Sequence, residues 1–528
     1  MGKAFLSLLL VVAALLLFVQ AGICQDSKTD TEALIRLLQQ KGIISEKEAR
    51  EFLLRSGGEG GGKTAETESL EQEVKRLREE LNRATETTLQ RQRLSERKVE
   101  EIQTRLSDIN SKVFKSDWAQ RIRFGGDIRL RYQGDNFDKN NGLLFDYNDL
   151  LNNPTGLKTQ NTTEDRERFR FRARLAVLAS LTDPTRTNPG KVDVGLRITT
   201  GNEKDPVSTN DTFGDYYNKD GIVLDQAFLR YTWKPTEALI FDWIPQFTLI
   251  GGRIPNPWFY TDLVWDHDLG FEGFALSLVT DTKEDASLTG FLTAGAFPLQ
   301  EVELSSKDKW LYGVQGGIEA RPLSDLSGKI GLAYYDYRNI TGKENNLAND
   351  YRYTAPLFLQ KGNTLFNMNF NVPGGGVLPG LASDYNLVNL IGQIHYSRWH
   401  PIHVIWTGDY VKNIGFDKGQ VRKKTGEDVD EKTQGFSGGM QVGYPNIVNF
   451  GEWHIMLVYK YLEADAVLDA FTDSDFHGGG TNAKGWIIGA GFGLYHNVWL
   501  SLRWMTADEI SGPPLSIDVL QVDVNARF

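Results

Sequence analysis

The chain has 528 residues and a formal net charge of -11, which argues against a nucleic-acid binder because phosphate affinity needs a basic surface. Its one cysteine, Cys24, leaves no disulfide framework. Beyond the N-terminus no stretch reaches the roughly 18 consecutive apolar residues of a membrane helix; this excludes a helical membrane protein but not a barrel, whose strands are apolar only at every second position.

In chain order, Lys3 and the apolar stretch from Ala4 to Val19, followed by small residues at Ala21 and Gly22, read as a signal peptide over 1–24, cut after Ala21 or after Cys24. Residues 25–63 form a small helical module. Two short helices within 29–56 meet at Lys41 and Gly42, Ser45 and Glu48 make a capping box, and Gly57, Gly58, Gly60, Gly61 and Gly62 make a flexible linker. Over 64–116 the apolar positions Leu70, Val74, Leu77, Leu81 and Ala84, then Val99, Ile102, Leu106, Ile109 and Val113, alternate four and three apart, the seam of a coiled coil. An offset of 11 from Thr88 to Val99 marks a stutter between the two halves. The seam points to self-association, most plausibly as a homotrimer, although its mixture of Val, Leu, Ala and Thr does not set the number.

From residue 117 to the end the period becomes two. Ile122, Phe124, Ile128, Leu130 and Tyr132 alternate with Arg121, Arg123, Asp127, Arg129 and Arg131, and Phe169, Phe171, Leu175 and Val177 alternate with Arg168, Arg170, Arg172 and Arg174. One face suits lipid and the other water. Such segments recur near 120–135, 166–181, 190–200, 223–234, 246–254, 270–281, 287–297, 309–321, 327–338, 385–397, 402–412, 434–444, 450–462, 484–495, 498–506 and 516–528. The expected fold is therefore an all-β transmembrane barrel of about 16 antiparallel strands, in keeping with 53 Gly, 19 Tyr and 28 Phe. Odd-numbered connections are mostly long, and even-numbered ones are short, as at Asp183-Pro184, Arg321-Pro322, Trp399 to Pro401 and His496-Asn497. The final strand ends on Phe528, which resembles the terminal aromatic signal read by barrel-insertion machinery.

The segments Trp118 to Tyr132, Gly252 to Leu269 (GRIPNPWFYTDLVWDHDL) and Tyr461 to Gly485 (YLEADAVLDAFTDSDFHGGGTNAKG) resemble the putative-porin family of Gram-negative bacteria across essentially the whole barrel. The helices and coil resemble the periplasmic extensions of some sugar porins and envelope-tethering porins. The resemblance implies an outer-membrane channel with a periplasmic N-terminal extension and leaves the solute unassigned.

A passive pore needs a wet lumen of suitable width and charge and no catalytic group. Arg121, Arg123, Arg129 and Arg131 on the first strand and Arg166, Arg168, Arg170, Arg172 and Arg174 on the second are expected to form one basic patch on the inner wall, favouring anions. The alternative is that they pair with inward carboxylates such as Asp127 and Asp193 and brace the wall. The third long connection carries Trp258, Phe259, Tyr260 and Trp265 with Asp262, Asp266 and Asp268. By analogy with general porins it is the candidate constriction loop, setting its acids against the arginines. Asp473, Asp475 and Gly478 match three positions of a calcium loop, but Lys484 stands where its bidentate Glu is needed. His395, His400 and His403 lack ligand spacing. No metal, cofactor or catalytic residue is expected. The expected surroundings are outer-membrane lipid, the insertion machinery, two further copies of the chain and, through the coil, peptidoglycan or other cell-wall components. A structural anchor with little transport is the competing class.

Overall fold

A computed structural model of the chain describes Lys98 and residues 121–182, 190–234, 246–280 and 287–528. The signal peptide, helical module and, apart from Lys98, the coil expected at 1–24, 25–63 and 64–116 lie outside the described residues, as does Asp183-Pro184.

Alternating residues give sixteen long strands among the described residues: β1 (Ile122–Phe137), β2 (Arg166–Ser180), β3 (Gly190–Thr200), β4 (Ile222–Trp233), β5 (Gln246–Ile254), β6 (Phe271–Val279), β7 (Leu288–Gln300) and β8 (Lys309–Leu323). They continue as β9 (Leu326–Arg338), β10 (Asn386–Trp399), β11 (Ile402–Asn413), β12 (Gln434–Gly443), β13 (Trp453–Leu462), β14 (Ala483–Tyr495), β15 (Val498–Glu509) and β16 (Ser516–Arg527). Each pairs antiparallel with the next, and β16 closes on β1 in the register Asp127↔Arg527 to Phe137↔Ile517. An even number lets the first and last strands meet antiparallel, and closure leaves no unpaired edge, which lipid would not tolerate. Phe528 and Gly126 exchange two backbone hydrogen bonds of 3.1 Å just beyond that register. Glycine is needed there: a Cβ on Gly126 would lie 2.3 Å from the Arg174 carbonyl oxygen and 2.6 Å from Cζ of the Phe528 ring.

Outward positions are apolar, and inward ones are polar except where the loops pack against the wall. On β1 Ile128 and Leu130 are about half exposed, at 46% and 51%, while Arg131 and Gln133 are buried. On β14 Trp486, Ile488 and Phe492 are exposed, and Gly489, Gly491 and Gly493 lie on the buried face. The two ends of the barrel differ. Connections 324–325, 400–401 and 496–497 are two-residue turns, whereas 138–165, 201–221, 255–270, 339–385, 414–433 and 463–482 are long loops. The turn expected at Arg321-Pro322 falls three residues later, at 324–325, because β8 runs on to Leu323 across a register shift between Ala320 and Leu323. An irregular strand end tolerates a proline that lacks an N–H.

The loops carry structure of their own. Helix α1 (Tyr147–Asn152) is capped by the Asp146 side chain accepting from the Asp149 N–H, and α2 (Lys418–Thr425) by Asp417, ending on left-handed Gly426. Asp211–Thr212 of the second long loop adds a bridge to β2 beyond the end of β3.

The apolar core is inside the barrel. Trp258, Leu263, Val264 and Trp265 of the 255–270 loop pack with Val467, Leu468 and Ala470 of the 463–482 loop against Phe297, Leu311, Tyr335, Leu387 and Val411 of the wall. Trp258 and Trp265 each meet Tyr335 edge-on, with ring centroids 5.2 and 5.1 Å apart. These two loops, joined by Val207 of 201–221 and Leu359, Leu381 and Tyr385 of 339–385, fill the lumen along β5–β11 and β13 and leave the charged wall of β1 and β2 facing them.

Candidate functional site

The register of β1 on β2 sets Arg129 opposite Arg172, Arg131 opposite Arg170, Gln133 opposite Arg168 and Asp127 opposite Arg174. Like charges directly across a strand pair repel, so the wall depends on the carboxylates around it. Asp127 accepts from Arg172 Nη2 at 2.7 Å and from Arg174 Nε at 2.7 Å. Arg168 Nη2 lies 2.8 Å from Asp135. Arg131, essentially buried, makes a fork to Asp523 at 2.8 and 3.0 Å and reaches Asp475 at 3.0 Å. Arg121 lies immediately before β1, Arg123 is exposed opposite Leu178, and Arg166 is exposed at the start of β2. Asp193, a candidate partner for the patch, instead joins Arg230 at 2.9 Å and Lys191 at 3.0 Å on β3 and β4. The patch draws on Asp135 and Asp523 as well as Asp127.

The 255–270 loop crosses the lumen. Its Phe259 N–H donates to Gln315 Oε1 at 2.8 Å on β8, and its Thr261 hydroxyl donates to Asp409 on β11. Of its three acids only Asp268 reaches the arginine patch, 3.4 Å from both Arg172 Nη1 and Arg174 Nη1, and it also accepts from Thr209 at 2.8 Å. Burial works to raise its pKa, but Arg172, Arg129 and Arg174 hold it below the usual carboxylate range. Asp262 lies at the other end of the crossing and pairs with Lys460 Nζ at 3.3 Å on β13. Against its own burial, Lys460 holds it at about 2. Asp266 accepts the Asp268 and Ser474 N–H groups at 2.7 and 2.9 Å; burial, then Asp473 and Asp268, push it well above the usual range. A loop that spans the lumen presents its acids to different walls, so three nearby acids do not share one partner.

The 463–482 loop supplies a second acid to the arginines. Asp475 bridges Arg131 at 3.0 Å and Arg503 of β15 at 3.4 Å, and despite burial these two cations hold it far below the usual range. Asp473 shares Lys460 with Asp262, at 3.3 Å. Asp465 accepts from the Thr364 hydroxyl at 2.6 Å and the Tyr385 hydroxyl at 2.9 Å, and Asp469 from the Gln360 N–H at 2.9 Å. Each acid of the partial calcium match has a separate partner, and among the described residues no group of three or more His, Cys, Asp or Glu is placed to hold a metal. At the turn end His395 and His403 approach to 2.6 Å, and His400 reaches the other ring nitrogen of His403 at 3.2 Å. Residues not singled out from the sequence are therefore Asp475 in this role, Lys460, Arg503, Arg230 and Arg197, the last paired with Asp225. For the four cations, alternation on their strands was the available signal; Asp475 lies in a loop and had none.

Comparison with known families matches a family described as "Putative porin" to residues 28–528. The search of curated proteins finds no match. Among solved structures, the chain is similar to the outer membrane channel DcaP of Acinetobacter baumannii, with 13% identity over 77% of this chain and 97% of that chain and a TM-score of 0.38. It is also similar to Pseudomonas putida OprB at high pH, with 10% identity over 79% and 97% of the two chains and a TM-score of 0.45. For Salmonella typhi OmpF in complex with daunomycin the values are 8% identity, 77% and 97% coverage and a TM-score of 0.40.

Proposed function

The chain belongs to the putative porin family and is an outer-membrane barrel channel; on that premise we propose that it is an anion-biased passive pore for small hydrophilic solutes or ions. The observation that carries this reading is the arginine wall of β1 and β2, met by Asp268 and Asp475 from two inward loops. Opposed charge across a narrow aqueous passage produces a transverse field and orders solutes by charge and size without any catalytic step. Arg121, Arg123, Arg129, Arg131, Arg166, Arg168, Arg170, Arg172 and Arg174 would line the basic side, with Asp268 as the constriction acid of its loop. Phe528 would serve as the insertion signal read by the barrel-insertion machinery.

The heptad seam of 64–116 supports a periplasmic role in trimer formation or in tethering to peptidoglycan: its roughly 45 residues reach about 70 Å as a helix. The apolar core that fills one side of the lumen favours a second reading, a membrane anchor with little transport. Single-channel conductance and ion selectivity of the purified full chain in a planar bilayer separate the two. Stable conductance steps with a reversal potential on the anion side support the pore, and no steps from correctly inserted protein would leave the anchor.

A further inference from the structure

The carboxylates around the arginine wall are unevenly shared. Arg131, Arg168, Arg172 and Arg174 each touch at least one carboxylate. Arg129 and Arg170 touch none. Arg129 Nη2 donates to Asn210 Oδ1 at 2.5 Å; Arg170, directly opposite Arg131, donates from its two terminal nitrogens to Gln133 Oε1 and Ser208 Oγ, both at 3.3 Å, and the Nε–H of each is buried without a partner. The Nε–H of neighbouring Arg168 is likewise buried without a partner. A half-buried guanidinium whose direct contacts are all neutral, as at Arg170, is only partly compensated for its desolvation, because the carboxylates of Asp135 and Asp475 act on it from beyond contact.

Arg170 faces a cavity of about 530 Å3 on the loop side of the wall, shared with Arg166, Arg168, Ser208, Gln360 and Ser474. The acids that also border it are engaged elsewhere. Asp135 is held by Arg168, Asp475 by Arg131 and Arg503, Asp146 caps α1, and Asp205 accepts the Val207 N–H at 3.0 Å. The volume is that of a site for a small organic molecule. Hydroxyls and amides on its walls suit a hydroxylated body, and the guanidinium fork suits a carboxylate, which it meets through two parallel N–H bonds.

We propose that this cavity is a binding subsite for hydroxylated organic carboxylates of the sugar-acid class, with Arg170 taking the carboxylate and Ser208 and Gln133 positioning its guanidinium. The inference rests on the channel reading, and it makes the pore one that retains a particular solute class in passing.

The test is calorimetric titration of the detergent-solubilised full chain with gluconate, glucose, acetate and inorganic phosphate. Gluconate should bind, and glucose and acetate should each bind at least about tenfold more weakly, since each lacks one half of the match. Arg170→Gln should weaken gluconate by about tenfold or more; Arg170→Lys keeps the charge, loses the fork and should weaken it severalfold, which keeps the test decisive if the glutamine variant does not fold. Gluconate binding that is absent, equalled by glucose, or unchanged in both variants would overturn the site, and phosphate binding as tightly as gluconate would overturn its organic specificity. Bilayer conductance in KCl is measured alongside. Conductance without gluconate binding removes the subsite and keeps the pore, while binding without conductance removes the pore and keeps the subsite.

Discussion

Replacing Asp268 with Asn removes one negative charge from the passage while keeping side-chain volume and the acceptor for Thr209. Asp268 lies 3.4 Å from both Arg172 and Arg174, and all three side chains are largely buried. Asp127 then remains as the sole contacting carboxylate of both arginines, so the passage gains one net positive charge. For an ion passing at about 10 Å in water, a unit charge is worth ~0.4 kcal/mol, or about twofold enrichment of anions and about twofold depletion of cations. The anion-to-cation permeability ratio should therefore rise about fourfold at 0.01 M salt, where the Debye length is about 30 Å, and change much less at 1 M, where it is about 3 Å. The assay is the reversal potential across a tenfold KCl gradient at both concentrations. A shift toward cations, or one that does not depend on salt, would refute the placement of Asp268 beside the ion path.

Further outcomes follow from the loops and the closing strands. Burial raises Asp469 to about 7, against the backbone N–H groups of Gln360 and Ala470 that lower it. Its folded value exceeds its value in an opened loop, so its contribution to loop packing is complete below pH about 4 and is lost as pH rises through about 7. The protection of amides in residues 463–482, taken relative to the intrinsic exchange rate at each pH, should accordingly be greater at pH 4 than at pH 8; Asp469→Asn should flatten that difference in protection, and an unchanged difference would assign it to another group. Gly126→Leu should displace the Phe528 ring from the outer face and, like deletion of Phe528, lower the amount of heat-modifiable barrel in outer-membrane fractions; native levels in both variants would contradict this role of the terminal pair. Deleting residues 25–116 should convert a trimer to monomers by native mass measurement, and a trimer unchanged by the deletion would place its contacts on the barrel.

The strands were legible because lipid on one side and water on the other impose a period of two that is broken only locally, as at the bulge that buries both Asp225 and Gln226. Arg129, Arg131, Arg170 and Arg172 could be placed on one wall from alternation alone. Their partners could not, since Asp475 and Asp523 meet Arg131 from 344 and 392 residues away. Distance along the chain also hid Lys460, whose pairing with Asp262 depends on one loop crossing the lumen and on Asp473 arriving from another. Spacing gave Asp473, Asp475 and Gly478 only a partial calcium-loop match, with Lys484 against it; the hydroxyls, backbone N–H groups and cations that divide the acids of this loop come from distant segments. Alternation defines faces; which charges meet across the lumen depends on how far each loop reaches in.

The most direct test of the arginine wall as the ion path is removal of its charge at four positions, with Arg123, Arg129, Arg170 and Arg172 replaced together by Gln. The reversal potential in a salt gradient should move toward cation preference, more at 0.01 M than at 1 M, while conductance persists. A reversal potential identical to that of the unmodified protein would mean that these arginines brace the wall and that ions pass elsewhere.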